Sequence, residues 1–203
     1  MKERPILFSS AMVRALLAGT KTQTRRAVKV ESHQQIEQRD DGRDWPWMYD
    51  GERDADYWMA CPYGQPGDRL WVREAWRAEL TWNTTKPSEI PDEAALWYEA
   101  DDQPRNNGRG TKFKGKLRSS IHIPRAASRI TLEITSVRVE RLQNISEADA
   151  IAEGVRNSLH LPGGRFAREN FENLWWTVNG DGSWESNPWV WVIEFKRVEG
   201  GAQ

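Results

Sequence analysis

The sequence predicts an α+β fold: a small mixed β-barrel with a few short helices around it. The run "RITLEITSVRVERL" (129–142) alternates apolar and polar residues with the period of two that marks a half-buried strand. The closing run "WVWVIEFKRV" (189–198) is mostly apolar and β-branched, which is again strand chemistry. Helical signals are few and brief, no internal repeat is visible, and most strands read as antiparallel partners joined by loops.

The elements follow in order. "RPILFS" reads as a short strand, and "SSAMVRALLAG" as a helix with Ser9 or Ser10 as N-cap and Gly19 as its stop. Residues 31–60 are polar and hold no sustained period apart from Trp and Tyr patches, so they are expected to form an insertion. In "CPYGQPGDRLWVREAW" the stretch Tyr63 to Asp68 carries turn chemistry, and Leu70 and Val72 then alternate as in a strand. Residues 101–120, "DDQPRNNGRGTKFKGKLRSS", are rich in Gly, Asn and Lys and read as a second insertion, a basic and mobile surface loop. The long strand is expected to bend or break near Ser136. Ser146 and Asp149 in "ISEADAIAEGV" then form a helix start with Gly154 as stop, and "FARENFENLWWTVNG" reads as an amphipathic helix.

A chain of 203 residues fits one domain with insertions, spanning 1–203, and is long enough for a sizeable core. Acidic and basic residues cancel to a net charge of −1, so no global field marks a nucleic-acid or membrane binder, although a local basic groove would not show in that sum. The lone Cys61 excludes a disulfide framework and a multi-thiol metal site and points to a reducing compartment, the cytoplasm. "MKERPILFSS" has too short an apolar core for a signal peptide, and no later run approaches the length that spans a bilayer, so a soluble protein is expected. His33, His122 and His160 show none of the spacings that gather metal ligands, and no metal is expected. "LPGGRF" lacks the length and the Lys-Ser/Thr ending of a phosphate-cradling loop and reads as a turn. The 12 Trp residues are rings that fill cores or stack on bases and sugars; their number favours the core.

The chemistry concentrates in "GTKTQTRR" (19–26), directly past the first helix. Fully extended, this segment puts Thr22, Thr24 and Arg26 on one side and Lys21, Gln23 and Arg25 on the other, so it has to turn for Lys21 to meet Thr24. A Thr hydroxyl is a poor nucleophile until a base takes its proton, and a desolvated Lys beside another cation, here Arg26, has its pKa lowered toward that role. The alternative is an exposed basic loop in which the Thr residues cap or turn the chain.

"ILFSSAMVRALLAGTKTQTRR", "CPYGQPGDRLWVREAW", "SIHIPRAASRITLEITSVRVERLQNISEADAIAEGV" and "WVWVIEFKRV" together resemble the ASCH family, most closely its phage and prophage members. "G-x-K-T-x-T-x-R" is that family's most diagnostic string. The resemblance implies a PUA-like β-barrel with a cleft facing nucleic-acid components. In one bacterial branch it implies an amidohydrolase that removes the acetyl group from N4-acetylcytidine with a Lys, a Thr and a Glu and no cofactor. Carried onto this chain, Lys21 is the general base, Thr24 the nucleophile and Glu153 the proton donor, with Arg26 beside them in register. Arg26, Trp71, Glu74, Arg125 and Arg129 are the candidates for holding the substrate, a modified nucleoside or RNA. Each has a structural rival; for Glu74 it is burial with an Arg partner. One departure stands out: related sequences carry "PRWASR" where this chain has "PRAASR", so Ala126 replaces a ring that would stack on a base or pack under the insertion. Two other functions remain open. One is a non-catalytic RNA-binding module whose Arg25, Arg26, Arg125 and Arg129 contact phosphates; the other is a ribonuclease, metal-independent or metal-assisted, using the same cleft.

Overall fold

The computed structural model describes residues 1–29, 34–52, 54–105, 113–156 and 166–198. In chain order the elements are β1 (Glu3–Leu7), α1 (Ser10–Leu17), β2 (Gln23–Ala27), β3 (Gln34–Gln38), β4 (Asp44–Asp50), β5 (Ala55–Trp58) and β6 (Arg69–Arg73). β7 (Trp76–Ala78), β8 (Leu96–Tyr98), β9 (Pro104–Arg105), β10 (Thr131–Arg141), α2 (Glu147–Ala152), α3 (Ala167–Asn179) and β11 (Trp189–Arg197) follow. The protein is α+β, mostly sheet, and the strand orders of its sheets are open among the described residues. No helix among them is long and apolar enough to cross a membrane. The contacts divide the chain into two compact units. One comprises Met1–Gly19, Asp68–Glu133 and the residues from Arg197 on; the other comprises Thr20–Gly67 and Ile134–Lys196.

In the first unit β1 lies parallel to β6, and β6 pairs antiparallel with the start of β10 through Thr131↔Trp71. Alternation in β6 buries Leu70 and Val72 and leaves Arg69, Trp71 and Arg73 partly exposed. Ser9 is the N-cap of α1, its Oγ accepting from the Met12 amide, and the helix buries Val13 and Leu16. β7, β8 and β9 form an antiparallel sheet over a core of Trp76, Ala78, Leu96, Tyr98, Ile123 and Ala127. Each of its large side chains contributes about 1.5–3 kcal/mol by burial. The second half of the expected 101–120 loop is strapped to this sheet through bridges Lys114↔Glu79 and Arg118↔Trp76. Gly115 makes the strap possible: its amide donates to the Ala78 carbonyl at 2.8 Å, and a Cβ there would stand 2.9 Å from the same oxygen.

In the second unit the order is β10-β11-β2, with β2 antiparallel to β11 through Thr24↔Ile193 and Arg26↔Trp191. β10 runs unbroken from Thr131 to Arg141, but its buried positions change from Leu132 and Ile134 to Val137 and Val139, so the inward face changes phase at Thr135–Ser136, where the sequence suggests a bend. Residues 34–58, expected as an insertion without a period, build the three-stranded meander β3-β4-β5. Trp45 of β4 packs edge-on against Trp191 of β11 at 5.0 Å between ring centres. α3 buries Ala167, Phe171 and Trp175 at helical spacing against Leu142, Ile145, Trp184 and Val190. α2 opens on a reciprocal capping box between Ser146 and Asp149. Gly154, at φ 91°, turns the chain out of the helix directly after Glu153.

Candidate active site

Two of the residues expected to act chemically, Lys21 and Glu153, meet in the second unit, and Thr24 lies in the adjoining strand. Lys21 lies just before β2, where its backbone forms a bridge with Glu153 at the C-cap of α2. The Lys21 ammonium donates to the Gln23 carbonyl at 2.7 Å, to the Glu153 carbonyl at 2.9 Å and to Glu153 Oε2 at 2.8 Å. Those three bonds match the three donors of an ammonium. The pair is closed to water: the side chains of Lys21 and Glu153 are 0% and 3% exposed. Thr24, also fully buried, lies within β2, and its Oγ1 accepts from Arg26 Nη1 at 3.1 Å. By the alternation of the strand, Thr24 and Arg26 share the face opposite Gln23 and Arg25. The strand bridge thus brings Lys21 to Glu153, while 23–27 run fully extended and Thr24 is joined to Arg26.

Burial pushes the Lys21 amine below its ordinary value; the charge and hydrogen bond of Glu153 oppose that shift, and the nearby Arg26 and Arg25 cations add to it. Arg26 is likewise lowered by burial, against the charge and hydrogen bond of Tyr63 and the charge of Glu153. Tyr63, half-buried in the turn before β6, is raised by its own burial, which the Arg26 guanidinium partly offsets.

Around this pair stands a network that sequence reasoning left unassigned. Arg25, 2% exposed, donates through Nη1 to Gln23 Oε1 at 3.0 Å and to Glu153 Oε1 at 3.4 Å, and through Nη2 to Glu140 of β10. Asp149 Oδ2 lies 3.4 Å from the same Nη2, and Asp149 Oδ1 accepts from Gln23 Nε2 at 3.1 Å. Arg138 completes the set by pairing with Glu140, Asp149 and Glu194. Lys21, Arg25, Arg26 and Arg138 thus face Glu140, Asp149, Glu153 and Glu194, and the charges of the cluster cancel, as a buried ionic group requires. The signal was present in part: extension of 21–26 puts Lys21, Gln23 and Arg25 on one side, but their acidic partners come from residues 115 to 132 positions away.

The other candidates lie in the first unit. Glu74 is buried and held bidentately by Arg129, Nε to Oε1 and Nη2 to Oε2 both at 2.9 Å. Arg129 also grips Asp101 at 2.8 and 3.0 Å and stacks over the Tyr98 ring at 4.0 Å. Two residues expected to hold substrate therefore hold each other, the structural rival named above for Glu74. Trp71 is half-buried, with the Arg73 and Arg125 guanidinium groups 5.5 and 5.9 Å from its ring centre, and Arg125 pairs with Glu3 at 3.0 Å. Trp76 belongs to the core, at 1% exposure. Ala126 is exposed, and its carbonyl accepts from Arg105.

Among the described residues no group of three or more His, Cys, Asp or Glu is placed to hold a metal ion, and Cys61 is a buried free thiol. His122 is exposed, whereas His33, His160 and most of "LPGGRF" lie outside the described residues. Compared with family models, with curated proteins and with solved structures, the chain matches none of them.

Proposed function

We propose that Lys21, Thr24 and Glu153 together form the active site of an amidohydrolase that removes an acyl group from a modified nucleoside such as N4-acetylcytidine, on the PUA-like barrel that the resemblance to the ASCH family implies. The observation that carries this reading is the buried 2.8 Å contact between Lys21 Nζ and Glu153 Oε2. An ammonium–carboxylate pair and an amine–carboxylic acid pair differ only by the place of one proton, and burial weakens the preference for the charged form. One proton moved from Lys21 to Glu153 creates a base and an acid together, which is what acyl transfer from an amide needs.

The steps then balance. Thr24 Oγ1 bonds to the acetyl carbonyl carbon as its proton passes to the Lys21 amine. The C–N bond breaks as Glu153 protonates the leaving exocyclic nitrogen, giving the amine and an acetyl ester on Thr24. Water hydrolyses that ester to acetate and restores the hydroxyl. Arg26, donating to Thr24 Oγ1 at 3.1 Å, favours the developing oxyanion at the nucleophile. Because Lys21 and Glu153 are closed to water, substrate enters only after a covering group moves, and the half-buried Arg26 and Tyr63 are the groups at the nucleophile's side.

The RNA-binding and ribonuclease readings gain less support. Arg25 is buried among carboxylates and Arg129 is committed to Glu74 and Asp101, so neither offers a free cation to a phosphate. The test is acetate release from N4-acetylcytidine by the wild-type protein and by Thr24→Val, with circular dichroism as the folding control. Turnover in the wild type and none in the folded variant is the expected result. Equal turnover in both removes Thr24 as nucleophile.

A further inference from the structure

We propose that Arg25 is a positioning residue for this site, one that holds the Glu153 carboxylate in the orientation Lys21 requires; this rests on the amidohydrolase reading. The geometry is specific. Glu153 presents Oε2 to Lys21 at 2.8 Å and Oε1 to Arg25 Nη1 at 3.4 Å, so the two cations fix the carboxylate from both oxygens. Neither side chain has room to swing: Arg25 and Glu153 are 2% and 3% exposed. Arg25 is itself fixed by Gln23 Oε1 at 3.0 Å, by Glu140 and by Asp149, and Glu140 and Asp149 are tied in turn to Arg138.

Gln23 and Arg25 occupy the two unspecified positions of K-T-x-T-x-R. The named positions Lys21, Thr24 and Arg26 carry the chemistry, and the intervening ones orient it. A guanidinium suits this task because its planar fork reaches Gln23 and Glu153 through one nitrogen and Glu140 through the other. A lysine ammonium carries the same charge but lacks the fork.

The charged groups around Glu153 are Lys21, Arg25 and Arg26 from the β2 segment, with Asp149 of α2 and Glu140 of β10 acting on it through Arg25. Removing the Arg25 fork therefore frees the Glu153 carboxylate to turn away from Lys21, and retaining the charge without the fork disturbs orientation more than affinity.

The experiment compares wild type, Arg25→Lys and Arg25→Gln. Circular dichroism checks folding; carboxyl-carbon NMR of the protein at one pH, assigned through Glu153→Gln, reports the surroundings of the Glu153 carboxylate through its resonance position, and acetate release gives kcat and KM. The expected result is a displaced Glu153 resonance in Arg25→Gln, with kcat in Arg25→Lys falling on the order of 100-fold while KM stays unchanged. An unmoved resonance in a folded Arg25→Gln overturns the proposal, as does an Arg25→Lys protein with wild-type kcat. If the wild type releases no acetate, the amidohydrolase reading fails on its own, and the resonance alone still decides whether Arg25 positions Glu153. Should Arg25→Gln not fold, the same resonance in Arg25→Lys decides, wild-type behaviour again counting against the proposal.

Discussion

Glu74 and Arg129 show how much a single buried charge is worth. Glu74 is 1% exposed; burial pushes its carboxyl up, and the hydrogen bonds and charge of Arg129 pull it down. Arg129→Ala leaves that carboxylate in the core without its partner, and such a break costs about 3–5 kcal/mol. The paired change Glu74→Leu with Arg129→Met is expected to recover most of the loss, and urea denaturation of the three proteins measures both. Sequence reasoning reached the kind of residue here but not its partner. A Glu inside an apolar strand end implies an Arg, yet nothing local says that the Arg stands 55 positions later. The same limit applied to Lys21: its side of the strand was legible, and the resemblance implied that it shares a site with Glu153, but its bond to that residue, 132 positions away, was not readable.

The short helix α2 exists to place Glu153. Its six residues are too few to be stable alone, so the capping box at Ser146 and the Gly154 turn define its two ends. Ser146→Ala is expected to lower stability by about 1 kcal/mol, read by thermal or urea unfolding. Gly154→Ala forces a side chain into a left-handed backbone and is expected to cost about 1–2 kcal/mol on the same assay. Both helix ends were legible because capping chemistry is local. The meander β3-β4-β5 was not. Its strands carry Glu37, Asp44, Asp50 and Asp56, and Pro46 sits in the central one, so neither alternation nor propensity marks them. Tertiary contact compensates, in part through Trp45 against Trp191. Strands β10 and β11 were plain in the sequence because their apolar pattern reports the core directly.

At the scale of the whole chain, each unit has its own core and its own buried ionic cluster, and acid tests them differently. Burial opposes ionisation of Asp149, but the Ser146 hydrogen bond and the Arg25 and Arg138 charges outweigh it and hold the carboxyl below its ordinary 3.8. Asp101 behaves alike, with Arg129 overcoming burial. A carboxylate depressed in this way contributes stability above its unfolded value and loses it as pH falls through the folded one. Glu74, raised, does the reverse: its contribution is complete below 4.5 and lost as pH rises through the higher folded value. Acid therefore removes the Asp101 contribution in the first unit while Glu74 partly offsets the loss; in the second unit the Asp149 contribution falls away. Melting temperatures taken from neutral pH downward are expected to drop below the ordinary aspartate range, and Asp149→Asn is expected to flatten that drop. An unchanged acid slope in Asp149→Asn contradicts it.

If Lys21 and Glu153 act as one proton-transferring unit, acetate release by wild type, Lys21→Met, Glu153→Gln and the double variant tests it most directly. Residues that act as a unit give non-additive losses, so each folded single variant and the double are expected to fall to the same background. Turnover that survives in either folded single variant, or losses that multiply in the double, would contradict it.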